Sequence, residues 1–276
     1  MRRALHRTLS FRALAFCVAV LLLAALLAAC GGGPTSAEKA YLETARRTFA
    51  PVEDLLADAE LDMLEVGSGD GGDVTAEEIA HYADLLTAYR DRIGNAIDGL
   101  ESEKTPAQKD LAAFHAAQLE RLSATRAIVE EYLSVLDYTA ALLQVGAALA
   151  VMQETPSDDL EAYCQAVNEA LSGGVGVLEA LDVPSFLENT NRRLTGDLKE
   201  MNDAVLYMLE AAYYADPLQL DAAGYRMEIL GRRLDATLTG IDADMTERES
   251  ALTDALKKIQ SDEKALSEWV DENLAA

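Results

Sequence analysis

Few residues in this sequence are placed for chemistry, and most of them are acidic. Glu78-x-x-His81 sets a carboxylate and an imidazole on one helical face. Di-metal carboxylate bundles use that pair twice, with two further glutamates. The second copy is missing, because His115 has Ala112 where its glutamate should stand. Asp70-Gly71-Gly72-Asp73-Val74-Thr75-x-Glu77-Glu78 has the residue types that close a calcium loop. An EF-hand, however, needs alternating oxygen ligands before the glycine, and here Gly67, Ser68 and Gly69 precede it. The stretch reads as a loop followed by a capping box. A cysteine nucleophile needs a histidine base. Cys164 lies among helical apolar positions, and only His81 and His115 occur beyond the first thirty residues, so a buried structural thiol is expected. Among 48 acidic residues accidental pairs are certain, and none stands out as a general acid and base. Phosphate loops, haem-attachment motifs and nucleophile elbows are missing too. The expectation is therefore no catalytic residue, no metal and no cofactor.

One cluster suits recognition instead. Tyr207, Tyr213, Tyr214 and Tyr225 gather with Met201, Met208 and Met227 around Pro217. Tyrosine combines an apolar ring with a polar tip, which fits a ligand pocket or a partner surface as well as ordinary helix packing.

The elements that position these residues are helical nearly throughout. No stretch shows sustained period-two alternation, and the punctuation is proline with short polar turns. Thr35 and Glu38 form a capping box, followed by apolar positions from Tyr41 to Val66 that continue across Pro51. That predicts one kinked helix or two collinear ones. Thr75 and Glu78 open a second helix reaching Leu100. Pro106 opens a long one carrying Leu111, Phe114, Leu119, Leu122, Val129, Leu133 and Leu136. Its last part, Ala140 to Met152, is apolar nearly all round, which predicts burial on every side, and is too short to cross a bilayer. Pro156 opens the next, where Gly173, Gly174 and Gly176 either break the helix or admit another backbone. Pro184 opens a fifth helix. After Asp216-Pro217 the last helix carries a near-heptad stripe from Leu234 through Ile259 and Leu266 to Val270. Its charges, Glu263 among them, are expected mostly off that stripe. The segments after Pro106 and Pro184 look loosely alike, as amphipathic helices do by default.

The fold class predicted is all-α, an elongated bundle or antiparallel coiled coil of about five to seven helices. Residues 36–276 are read as one helical domain that divides, if at all, into stacked sub-bundles at 36–152 and 157–276. The formal net charge of −25 argues against nucleic acid and anionic surfaces as partners. With half the residues hydrophobic, the acidity belongs to a folded, soluble surface rather than a disordered tail.

The N-terminus carries an address. Arg2, Arg3, Arg7 and Arg12 precede an apolar run from Ala13 to Leu26, without an acid among them, in the charge, length and order of a secretory signal. Leu27-Ala28-Ala29-Cys30 follows, then Gly31-Gly32-Gly33-Pro34. This stretch resembles the lipobox of bacterial lipoprotein signal peptides. The resemblance implies cleavage between Ala29 and Cys30, removal of residues 1–29, and a diacylglyceryl group on the Cys30 thiol. Residues 30–35 would be the tether. Losing four arginines and no acid takes the charge from −25 to −29. Cys17 leaves and Cys30 is lipidated, so Cys164 could form no disulfide within the chain.

The function expected on these grounds is non-enzymatic. A lipid-anchored extracytoplasmic helical protein would act as scaffold or accessory protein, its partner an envelope protein or a second copy, with membrane lipid held through Cys30. The alternative is a helical bundle binding a small ligand or cation, through the tyrosine–methionine cluster or the Ala140–Met152 region. A hydrolase acting on envelope polymer ranks third.

Overall fold

A computed structural model describes residues 35–57, 75–154 and 160–275. The signal, Cys30, its tether, the loop through Asp73 and the turn at Pro156 lie outside these residues. The described residues are helical and contain no strand. The fold is all-α.

The helices are α1 (Ser36–Arg47), α2 (Ala50–Ala57), α3 (Ala76–Ser102), α4 (Lys109–Glu154), α5 (Leu160–Ala180), α6 (Glu188–Tyr213) and α7 (Pro217–Ala275). Both sequence-predicted capping boxes form. The Thr35 and Thr75 hydroxyls accept from the backbone N–H of Glu38 and Glu78, and each glutamate accepts from the threonine N–H in return. The carboxyl of Glu78 lies below its ordinary range because the Thr75 backbone N–H, then the Thr75 hydroxyl, bonds its charged form. Pro51 breaks the first helical run instead of bending it. A turn at Thr48 and Phe49 separates α1 from α2, and Pro51 occupies the first turn of α2, where no amide N–H is required. Pro106 and Pro184 stand outside their helices, which begin at Lys109 and Glu188. At Pro184 a turn intervenes, Leu187 N–H donating to the Pro184 carbonyl at 2.8 Å.

The chain divides into two compact units, each assembled from separate stretches. Among the described residues, one draws on 35–57, 91–126 and 257–275, the other on 75–90, 127–154 and 160–256. The units do not part at 152/157, since α3, α4 and α7 each contribute to both.

In the first unit Leu42, Ala45, Phe49, Val52, Ile93, Leu100, Phe114, Leu122, Trp269 and Val270 are buried. The Phe114 and Trp269 rings stack at 4.9 Å. In the second unit Tyr138 and Val145 of α4, Cys164 to Leu178 of α5, Leu194 to Val205 of α6, and Leu230, Leu234 and Ile241 of α7 form one cluster. Tyr138 donates to Asn191 Oδ1 at 3.2 Å in this core, and burial pushes the phenol up to about 12.

Three expectations need correction. Ala140–Met152 is not buried on every side. Ala141 and Val145 are buried, while Leu143, Gln144, Gly146, Ala147 and Ala150 face out, most of them side chains too small to expose much apolar area. The same residues give the Lys109–Ala150 stretch a window long and apolar enough to cross a membrane, mean hydropathy 1.5, as a bundle helix also can. The glycines of α5 neither break it nor admit a backbone. Gly174 faces the Val145 side chain, and a Cβ at Gly173 or Gly176 would meet nothing within 4 Å. Glu263 lies on the buried seam of α7, between Ile259 and Leu266, not off it.

Candidate interaction surface

The turn between α6 and α7 is built by backbone hydrogen bonding. Asp216 N–H donates to the Ala211 carbonyl and Ala215 N–H to that of Ala212, both at 3.0 Å. This is the Schellman pattern that closes a helix through one residue in the left-handed region. That residue is Ala215, at φ 50°, where glycine is usual. Asp216 then caps α7, its Oδ1 accepting from the N–H groups of Leu218 and Gln219. Pro217 takes the first helical position.

The tyrosine–methionine cluster divides at this hairpin. Met201 is buried and Met208 and Met227 pack against the core, whereas all four tyrosines face solvent. Tyr213 is 84% exposed, Tyr214 69% and Tyr225 66%. The Tyr213 and Tyr214 rings meet edge to face at 5.2 Å. Leu218 is 80% exposed, and Leu206 and Ile229 are exposed as well. Isolated exposed apolar residues are ordinary; here Tyr213, Tyr214 and Leu218 gather at the turn, with Tyr225 and Ile229 further along α7 and Leu206 earlier in α6, which makes this region the candidate surface.

Glu78 caps its own helix, and the His81 ring lies beside Tyr82 at 5.7 Å. His115 is in the first unit, sharing a 3.0 Å hydrogen bond with the Tyr41 hydroxyl. Among the described residues no three His, Cys, Asp or Glu side chains are grouped to hold a metal. Cys164 is buried, and desolvation pushes its thiol up, away from a nucleophilic thiolate. Open grooves also lie among the described residues. One of about 520 Å³ lies between α5 and α6, lined by Leu178, Leu181, Asn191, Arg192 and Lys199. Another, about 390 Å³, lies between α2 and α7 beside Glu53 and Lys264.

Sequence reasoning missed a polar layer in the first unit. Arg121 and Glu263 form an ion pair with both side chains 4% exposed. The Arg121 guanidinium lies 4.8 Å over the Phe49 ring. Desolvation pushes that guanidinium down to about 9, against the carboxylates of Glu53 and Asp262, which favour its charge. Gln118 donates to Thr48 at 2.8 Å. The available signal was spacing: Phe114, Gln118, Arg121 and Thr125 follow the core face of α4, and Gln118 takes the place assigned to Leu119.

No protein-family model matches this chain, and neither the curated proteins nor the solved structures include a match.

Proposed function

We propose that this is a lipid-anchored extracytoplasmic protein that acts without catalysis, presenting the α6–α7 hairpin to a protein partner in the cell envelope. The observation that carries the reading is the exposure of Tyr213, Tyr214 and Leu218 at the turn and of Tyr225 two helical turns into α7. Tyrosine supplies large contact area at low entropy cost, which suits it to the centre of an interface. The anchor rests on the lipobox resemblance around Cys30, and two or more acyl chains hold a protein firmly at a membrane.

Photocrosslinking tests the surface. A photoreactive residue at position 214 of the full chain, activated in cells, should yield discrete protein adducts, and Tyr213→Ser with Leu218→Ser should abolish them. Adducts that survive those changes would remove the hairpin from the interface. Cys30→Ser should release the protein from the membrane fraction, and unchanged retention would refute the anchor.

A further inference from the structure

The first half of α7 carries two apolar stripes on opposite sides. Ala223, Leu230, Leu234 and Ile241 are buried in the second unit's core. At 100° per residue, Leu218, Ala222, Tyr225 and Ile229 fall on the other side of the helix, and all four are exposed. Their spacing of four, three and four is that of alternating d and a positions in a coiled coil. The frame continues through Arg232 to Ala236, so the apolar part spans two heptads, about 17 Å at 1.5 Å per residue.

The flanking charges select the occupant. In this register the positions before the a residues (g) are Asp221, Glu228 and Asp235, all acidic. The positions after the d residues (e) are Gln219, Arg226 and Arg233, two of them basic. In a parallel pair each g residue faces the e residue five places on in the other helix. Asp221 would then face Arg226 of a second copy, and Glu228 would face Arg233. An antiparallel pair would set acid against acid and arginine against arginine. Within the chain Arg233 binds Asp197 and Glu200, and Glu228 pairs with Arg232. Arg226 meets no carboxylate among the described residues.

We infer that the partner covering this stripe is a second copy of the chain, packed in parallel along α7 from Leu218 to Ile229. The inference rests on the reading of the α6–α7 hairpin as an interaction surface and names its occupant. The chain's acidic charge, −25 over the full sequence, opposes pairing at long range and becomes more negative once the signal's four arginines are removed. Physiological salt confines that repulsion to roughly 8 Å while leaving the apolar seam intact.

Disulfide trapping tests it. The full chain carrying Leu218→Cys, oxidised in cells beside the unsubstituted chain, should give a covalent dimer, because parallel register sets position 218 against itself. Two differently tagged chains, one with Leu218→Cys and the other with Ile229→Cys, should not link to each other. Arg226→Glu should weaken dimerisation of the detergent-solubilised chain about tenfold in sedimentation equilibrium, since attraction becomes repulsion at two symmetry-related pairs. Adding Asp221→Lys should restore it, which a folding defect would not permit. A 218-to-229 link, failure of the second change to restore, or a monomer at every concentration overturns the inference. If position 214 still gives adducts to a different protein, the interaction reading survives that loss; if it gives none, both fail.

Discussion

Replacing Ala215 with glycine should stabilise the protein. Ala215 sits at φ 50°, in the left-handed region that costs a residue with a Cβ roughly 1–2 kcal/mol. The conformation is imposed by the two hydrogen bonds that close α6, from Asp216 N–H to Ala211 and from Ala215 N–H to Ala212. Glycine adopts the same φ without the clash but widens the unfolded ensemble, which offsets roughly 0.4–1 kcal/mol. The expected net gain is about 0.5–1 kcal/mol. In a domain of this size that is a rise of roughly 1–4 °C in Tm. Urea unfolding followed by circular dichroism reads the global effect. Amide exchange at Asp216 reads the local one, because its N–H donates the bond that reaches back across the turn to Ala211. Ala215→Val provides the opposing control: a β-branched side chain should lose at least as much as glycine gains. If Ala215→Gly leaves stability and Asp216 protection unchanged or lowers them, the turn does not hold the alanine under strain and the reasoning fails.

Three further predictions concern positions away from the turn. Arg121→Met leaves Glu263 buried without its partner and should cost about 3–5 kcal/mol in urea unfolding, whereas adding Glu263→Leu should recover most of it; a double variant as unstable as the single one refutes the pairing. The carboxyl of Glu78 is lowered in the fold, so its stabilisation of the α3 N-terminus is complete above the ordinary carboxylate pKa of 4.5 and is lost as pH falls below it. Protection of the Thr75 amide should fall over that acid range, and Glu78→Gln should remove the pH dependence while keeping protection. Gly173→Ala and Gly176→Ala place a Cβ in open space within α5 and should each add roughly 0.5–1 kcal/mol of stability, seen as higher urea midpoints.

Much of the fold follows from local rules that leave a mark in sequence. Thr35–Glu38 and Thr75–Glu78 announce helix starts because side chain and backbone satisfy each other over three residues. Asp216-Pro217 does the same for α7. Burial is less legible. Ala140 to Ala150 is as hydrophobic as a core segment, yet alanine and glycine can face water at little loss, so hydropathy alone overstates how much of that segment is covered. Arg121 and Glu263 err in the other direction. Each has the polarity of a surface residue and the spacing of a core one, and spacing prevailed because each neutralises the other in a layer floored by Phe49.

The tyrosine cluster is where sequence pattern and environment had to be separated. Methionine and tyrosine recur together around Pro217, and proximity in sequence joins them into one group. Helix geometry splits them: Met201, Met208 and Met227 turn to the core, while Tyr213, Tyr214 and Tyr225 turn away from it. Periodicity shows which apolar residues share a face but not whether the chain supplies a cover for that face. α7 makes the difference concrete. Its Leu234–Ile241 stripe is covered by α4, α5 and α6, whereas the Leu218–Ile229 stripe has equally regular spacing and remains open. The distinguishing information lies beside the stripe, in Asp221, Arg226 and Glu228. Glu228 and Arg233 also have partners within the chain, whereas Asp221 and Arg226 stand at heptad positions that would oppose each other in the parallel pair inferred above.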